Sequence, residues 1–484
     1  MNKKNLPPLS DLKRVHIVGV CGTLMGAFAF YLKRNGVRVT GSDQNIYPPM
    51  SDLLRNAGVE LFNGYGEQNL DLNHHPPDLV VIGNVIRPDN PEARAAIDGG
   101  LLYTSLPEAM EQLFLPYTRN LVVSGTHGKT TTSSLLAYTL SHCEQDPSYF
   151  IGGVSNDLPF SFQISPRIGS GGLFVLEGDE YDTAFWDKVP KFNHYLPNDV
   201  ILTSIEYDHA DIYPDMNSVV RAFEGLVDRI RPDGKFIACF DYPEVRALER
   251  RVQVPLLSYG CSPEKGARFF PGDVQVGPRW TQFQILDRGK VVDQVKIQLP
   301  GMHNVLNALA VWIECRELQL DPERVRAAFQ SFQGVRRRQE ERGEVRGILV
   351  IDDFAHHPTA VRETLRALRL KYPKRRLVTV FEPRSATSRR KIFQGEYAKA
   401  LGEADLVFIS RPYDQTRIAS QDQFSSEQLI EDLMRKGKEA WLILNVDEGV
   451  QEIRGQVKEG DLVAVLSNGG FDGFIAKFLS ALGT

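Results

Sequence analysis

Short apolar runs bounded by glycine, proline or charge alternate along the chain with stretches whose apolar residues recur every three or four positions. The first pattern predicts buried strands and the second amphipathic helices. Val15 to Val20 reads as a strand, followed by a helix through Leu32, a cap at Asn35-Gly36 and a second strand from Val37 to Thr40 that ends at Ser42-Asp43. Asp78 to Asn84 is a further strand. Asn120 to Ser124 predicts a strand and Thr130 to Leu140 a helix, with later strands over Leu173 to Glu180 and Val200 to His209 and a helix opened by Gly301-Met302-His303. The last third alternates again: strands at 347–351, 376–381, 405–409, 441–444 and 461–466, helices at 358–370 and 389–401. Alternating strands and helices predict parallel sheets in an α/β fold. At 484 residues the chain should hold about three domains. The pattern divides as 1–117, Rossmann-like; 118–333, built around a phosphate-binding loop; and 334–484, a doubly wound α/β domain.

The strongest chemical signal lies between a strand and a helix, in Gly125-Thr126-His127-Gly128-Lys129-Thr130-Thr131. Strand, glycine-bounded loop and helix start are the context a phosphate-binding loop requires. Free N–H groups and the helix dipole point at an anion there. Lys129 is placed to reach the β- and γ-phosphates of ATP, and the Thr130 hydroxyl to ligate Mg2+. The loop is short, with two residues between the glycines instead of the usual four.

Two strands then end in charge: Glu177-Gly178-Asp179-Glu180, and Glu206-Tyr207-Asp208-His209. Carboxylates and an imidazole beside a phosphate loop predict a Mg2+ site, with Glu177 and His209 as the chosen ligands beside Thr130. Asn304 and Asn307 share a helix face and can pair with the edge of adenine. In Arg336-Arg337-Arg338, an arginine reaching the γ-phosphate is the functional reading, and Arg338 is the chosen residue. In the first domain Gly19, Cys21, Gly22 and Thr23 follow one strand, Ser42 and Asp43 end the next, and Asn84 ends another. This is a nucleotide-binding βαβ unit with irregular glycine spacing, open to a dinucleotide or to another nucleotide. In the last domain, strand ends carry Glu382-Pro383-Arg384-Ser385 and Ser467-Asn468-Gly469-Gly470. Arg384 suits bidentate carboxylate recognition, with Glu382 able to meet an ammonium.

Composition narrows the setting. A charge of −5 gives no global attraction for nucleic acid or anionic membrane. Five scattered cysteines without a Cys-x-x-Cys predict a reduced, cytoplasmic chain, and no apolar run approaches a membrane span.

Gly125-Thr-His-Gly-Lys-Thr-Thr131, the Glu177 strand, Tyr207-Asp208-His209, His303-Asn304-x-x-Asn307-Ala308, the arginine pair and Asp353-x-x-His356-His357-Pro358 resemble, in order over nearly the whole chain, the ATP-dependent Mur ligases of peptidoglycan synthesis. The resemblance implies a three-domain, ADP-forming amide ligase working through an acyl phosphate. It implies Mg2+ on Thr130, Glu177 and His209; catalytic roles for Lys129, Glu177, His209 and Arg338; and ATP on residues 125–131, Asn304, Asn307, Arg338 and Asp353, the last near the ribose. It turns the first domain's nucleotide into UDP-N-acetylmuramate, held by Gly19, Cys21, Gly22, Thr23, Ser42, Asp43 and Asn84. Gly41-Ser42-Asp43 with Tyr47-Pro48-Pro49-Met50-Ser51, Glu382-Pro383-Arg384-Ser385 and Ser467 to Phe471 are similar to the member of the family that takes a whole murein tripeptide, L-alanyl-γ-D-glutamyl-meso-diaminopimelate, as acceptor. Glu382, Arg384, Ser385 and Asn468 would bind that peptide, in a monomer or weak homo-oligomer. The rival readings are an L-alanine ligase of the same family, a nicotinamide-dependent dehydrogenase and a non-enzymatic ATP switch. Several Mur ligases carry a carbamylated lysine about fifteen positions beyond the residue matching His209; here that position is Glu224, and no lysine lies between Lys191 and Lys235.

Overall fold

The computed structural model describes residues 5–46, 50–167, 171–277 and 279–483; Tyr47-Pro48-Pro49 lie outside them. Three sheets flanked by helices follow one another along the chain, beside a two-stranded pair of Asp182–Ala184 and Asp187–Pro190.

The first is fully parallel, in the order Glu60–Asn63, Arg38–Asp43, Arg14–Val18, Leu79–Ile82, Tyr103–Thr104. The chain leaves Arg14–Val18 for one side of it and later returns to the other. That reversal opens a crevice at the carboxyl ends of Arg14–Val18 and Leu79–Ile82, where ligands of open α/β sheets bind.

The second sheet has ten strands. Arg119–Ser124 sits between Leu173–Gly178 and Asp199–Leu202, parallel to both, so all three deliver their carboxyl ends to one edge. Their middle residues, Leu121 to Val123, Phe174 to Leu176 and Val200 to Leu202, are apolar and buried, as a strand covered on both faces requires. Helix Lys129–His142 starts directly after the first of them. An antiparallel meander, Phe269–Gly277, Trp280–Asp287 and Lys290–Ile297, extends the sheet on one side. Sequence patterning did not single out this meander, because glycine, proline and charge interrupt its alternation.

The third sheet runs Glu340–Val345, Ile348–Asp353, Leu462–Leu466, Leu377–Phe381, Leu406–Ser410, Glu439–Ile443. All its pairings are parallel except the first.

Two expected elements differ. The strand expected over Val200 to His209 stops at Leu202. Beyond it the backbone is recruited by the phosphate loop: Thr203 Oγ1 donates to the Ser124 carbonyl (3.1 Å), Thr126 N–H to the Ser204 carbonyl (3.1 Å) and His127 N–H to Ser204 Oγ (2.9 Å). The helix expected from Arg389 starts at Gln394, after a short turn over Lys391–Phe393. The Arg389 N–H turns back to the Ser385 carbonyl, and the Arg389 carbonyl accepts from Phe424 N–H.

Among the described residues all five cysteines are free, and no helix is long and apolar enough to cross a membrane.

Candidate active site

A cleft of about 580 Å³ opens where the three sheets meet. Thr23 of the first domain, the phosphate loop, Arg336 to Gln339 of the linker and Asp353 to His356 of the third domain all line it.

The loop glycines are there for shape. Gly125 has φ +130°, and a Cβ on it would fall 2.3 Å from Thr203 Oγ1 and 2.8 Å from the Ser204 backbone. Gly128, at φ +82°, is the N-cap of the helix, and a Cβ there would meet Asn307 Oδ1 at 2.7 Å. Only glycine combines that backbone with that closeness. The loop is therefore pressed between the Thr203-Ser204 turn and the helix Met302–Glu317 that carries Asn307.

Lys129 curls back over the loop, donating to the Gly125 carbonyl (2.6 Å) and to both oxygens of Glu180 (3.0 and 2.9 Å). Glu180 also accepts from His209 Nε2 (2.8 Å). Burial alone would lower the Lys129 and His209 pKa values; the facing carboxylates, Glu180 foremost, outweigh it and raise both. Burial pushes against ionisation of Glu180, but Lys129 and His209 hold its carboxyl below the ordinary range. Glu177 accepts from Thr130 Oγ1 (2.7 Å) and from Gly152 N–H (2.7 Å), and burial raises its pKa. Asp179 is paired with Lys191 (2.5 Å). Lys191 and Lys129 overcome its burial and hold its carboxyl well below the ordinary range. His209 sits at φ +56°, a left-handed conformation costly for a non-glycine residue, with its N–H held by Asp208 Oδ1 (2.7 Å).

Thr130, Glu177 and His209 all line the cleft. Glu180, at 2% exposure the most buried carboxylate of the group, joins His209 to Lys129. The sequence placed Glu180 at a strand end but could not distinguish it from its neighbours. Glu224 is elsewhere: it lies on the helix Met216–Val227, 3.9 Å from Arg251, and does not line the cleft.

On the opposite wall, Arg338 lies over the Phe354 ring at 4.9 Å and makes no ion pair among the described residues. Burial lowers its pKa against the partial compensation of Asp353 and Glu177. Its neighbour is used differently. Arg337 Nη2 donates to the carbonyls of Ser467 (2.6 Å) and Gly469 (2.7 Å), fastening the Ser467-Asn468-Gly469 loop to the linker. Asp353 reaches the cleft, but its carboxylate is occupied by the N–H groups of Gln339 and Ala355 (2.7 Å each) and by Thr364 (3.3 Å). It shapes the linker turn. Asn304 and Asn307 also line the cleft, with their amide donors directed to the Pro300 carbonyl (2.8 Å) and to Asn304 Oδ1 (3.3 Å). Tyr242 and Tyr259, which carried no motif, line it beside them.

In the first domain, Gly19, Cys21, Gly22 and Thr23 follow the first strand, Ser42 and Asp43 close the second, and Asn84 lies exposed after the fourth. Asp43 Oδ2 accepts from Cys21 N–H (2.9 Å) and Oδ1 from Asn45 N–H (3.2 Å), so this carboxylate orders the glycine loop. The Ser42 hydroxyl is buried without a hydrogen-bond partner among the described residues.

In the third domain, Arg384 pairs with Glu382 (3.2 Å) and lies 4.0 Å from the Tyr413 ring centroid. Glu382, buried, also accepts from Ser467 Oγ, and Asn468 Oδ1 is buried with no hydrogen-bond partner among the described residues. Ser385 Oγ accepts from Ser388 N–H (3.0 Å) and caps the turn. Tyr413 comes from a distant loop, so no local pattern could have found it.

Three regions match families in chain order. Residues 14–118 match the Mur ligase family catalytic domain, 123–314 the Mur ligase middle domain and 337–469 the Mur ligase glutamate ligase domain. The chain is 37% identical, over 97% of its length and 98% of the relative's, to the UDP-N-acetylmuramate–L-alanyl-γ-D-glutamyl-meso-2,6-diaminoheptandioate ligase of Escherichia coli K12. Among solved structures it resembles a murein peptide ligase from Psychrobacter arcticus 273-4 (TM-score 0.72, 32% identity, 98% of this chain and 99% of that one). It also resembles the UDP-N-acetylmuramate–alanine ligase of Thermotoga maritima (TM-score 0.77, 26% identity, 97% and 98%). With three sheets in this order, a phosphate loop at their junction and that identity along its length, the chain belongs to the Mur ligase family.

Proposed function

We propose that this chain is an ATP-dependent, ADP-forming ligase that joins L-alanyl-γ-D-glutamyl-meso-diaminopimelate to UDP-N-acetylmuramate in murein recycling. The observation that carries the reading is the 37% identity, over nearly the full length of both chains, to an E. coli ligase named for that reaction. The acceptor end agrees with it. An arginine beside a buried carboxylate and an unpartnered amide oxygen offers a diaminopimelate end both a cation for its carboxylate and acceptors for its ammonium. L-Alanine has no such distal group.

In this reading the lactyl carboxylate of the nucleotide sugar attacks the γ-phosphorus of ATP and ADP leaves. The peptide amine then attacks the acyl carbon, loses a proton and expels phosphate. Lys129, released from Glu180 by the incoming phosphates, and the unpaired Arg338 stabilise charge on the transferring phosphoryl group from opposite walls. Thr130, Glu177 and His209, the last held by Glu180, fit a hard cation by their oxygen-rich donor set and would hold Mg2+. That ion supplies charge neutralisation at the β- and γ-phosphates. The first-domain crevice takes the UDP moiety, and Asn304 and Asn307 lie toward adenine. The domain boundaries 117/118 and 333/334 follow the same division of labour.

The test is ADP release with UDP-N-acetylmuramate and either tripeptide or L-alanine. Turnover with the tripeptide is expected; turnover with L-alanine alone overturns the reading in favour of the L-alanine ligase. Within it, Arg384→Ala should weaken tripeptide kcat/KM by roughly 2–5 kcal/mol while ATP and nucleotide-sugar dependence barely move.

A further inference from the structure

We infer a second metal site, separate from the Mg2+ ligands above, for a zinc-class divalent ion at the contact between the phosphate loop and the third domain. Its ligands are His127, Glu206 and His357, whose ligating atoms lie within 4.8 Å of one another.

Each comes from a rigid position. His127 is in the phosphate loop, its N–H held by Ser204 Oγ (2.9 Å). Glu206 follows the Thr203-Ser204 turn, with its N–H on Thr126 Oγ1 (2.8 Å). His357 is the N-cap of helix Pro358–Lys371, across the domain contact.

The second layer of contacts orients the three. His357 Nε2 faces the Tyr207 carbonyl at 3.3 Å; a carbonyl only accepts, so Nε2 carries the proton and the Nδ1 lone pair faces Glu206 Oε2 (4.0 Å). Glu206 Oε1 is held by Thr359 Oγ1 (2.9 Å), which leaves Oε2 for the imidazoles; His127 Nε2 is 2.7 Å from it. An imidazole whose far nitrogen donates to a backbone carbonyl is the usual arrangement of a metal-bound histidine.

Two imidazoles and one carboxylate form the His2Glu donor set of open zinc sites, whereas Mg2+ prefers oxygen. Binding needs side-chain rotations of about 1 Å to reach bonds of about 2.0–2.2 Å. The proton shared by His127 and Glu206 is released, and the long Thr359 N–H to Nδ1 contact (3.3 Å) gives way. His127 lines the cleft, so the fourth position opens to solvent and gives the ion its way in. An ion so placed ties the phosphate loop to the third domain.

The experiment titrates Zn2+ into the chelator-treated full chain, without nucleotide and in millimolar Mg2+, against a chromophoric competitor. One equivalent bound at micromolar or tighter affinity is expected, with X-ray absorption showing two imidazoles. His357→Asn removes the ligand but keeps a good helix N-cap, so the chain should still unfold cooperatively, with only the modest loss expected for one seam hydrogen bond, while Zn2+ affinity falls at least about tenfold. Glu206→Gln, a second variant, should lose affinity likewise. Cys261→Ser, at the exposed thiol, should change nothing. The site is overturned if the wild-type chain binds no Zn2+ under these conditions. It is equally overturned if both variants bind as tightly as the wild type, which would place the ion on Glu180 and His209 or on a thiol.

Discussion

The central sheet has two seams, and they are built from opposite materials. Toward the first domain it shares one continuous apolar core: Phe28, Phe114, Phe150 and Phe162 are all buried in a single cluster. Phe162 sits edge-on to Phe28 (5.8 Å), Tyr31 (5.3 Å) and Phe150 (5.8 Å). Toward the third domain polar contacts dominate: His357 Nε2 to the Tyr207 carbonyl (3.3 Å), Thr359 Oγ1 to Glu206 (2.9 Å), His356 to Asp208 (3.6 Å) and Thr387 Oγ1 accepting from Ala210 N–H (3.2 Å), with Tyr207 and Phe393 an aromatic pair across it. The third domain keeps its own two cores, one on each face of its sheet. Opening the first seam would expose aromatic surface to water. Opening the second exchanges hydrogen bonds with protein for hydrogen bonds with water, at about 1 kcal/mol each. The first domain is therefore held to the second more firmly than the third is, and the contact with the third costs less to open.

The largest effect should come where the polar seam meets the phosphate loop. Lys129→Ala should lose about 10³-fold in turnover, because it removes a cation that is stabilising only once it leaves Glu180 for phosphate. ADP release measures it; a near-wild-type rate would separate the seam from the chemistry. Phe162→Ala probes the apolar seam. It should cost about 3–5 kcal/mol in denaturant unfolding, with the first two domains still unfolding together. Loss of cooperativity between them at small cost would break the contrast.

Thr359→Val breaks one bond of the polar seam, to a charged acceptor, and should cost about 1.5–3 kcal/mol. The expected reading is faster hydrogen exchange along 205–210 and 354–360, with exchange around Phe162 unchanged. The smallest effect is a pH dependence. His194 belongs to the first seam, between Glu111 (2.5 Å) and Asp187 (2.8 Å). Burial lowers its pKa, but these carboxylates outweigh burial and raise it above the ordinary 6.5. The stabilisation is thus complete below pH about 6.5 and is lost as pH rises through the raised folded value. His194→Gln should flatten that part of the unfolding profile and leave the part due to His209, raised in the same direction by Glu180.

Local order was legible in the chain wherever a single element carried its own signal. The strand, loop and helix around Lys129 lie where glycine spacing and apolar runs put them, because a turn at positive φ followed by a helix start is a property of a few adjacent residues. The third domain's alternation of strands and helices was legible for the same reason. The end of the strand at Leu202 was not: Thr203 and Ser204 leave the ladder to bond a loop almost eighty residues earlier, and no local pattern reports that. Nor was the difference between Glu177 and Glu180. Both end the same strand region, yet only Glu180 bridges Lys129 and His209.

By itself, then, the sequence determined the α/β class, the phosphate loop and the order of three sheets, since hydrophobic period, glycine placement and helix starts act over a few residues. Only the tertiary structure decided how each charge is used. It turned Asp353 and Asp43 inward to order backbone turns, left Arg338 over a ring and without an ion pair among the described residues, set Tyr413 beside Arg384 and made one domain seam mainly apolar and the other mainly polar. Those outcomes depend on partners far apart in the chain. A carboxylate at a strand end looks the same in sequence whether the fold brings it an ammonium, a row of amides or water, and the free energy of each is set by what burial and neighbours remove.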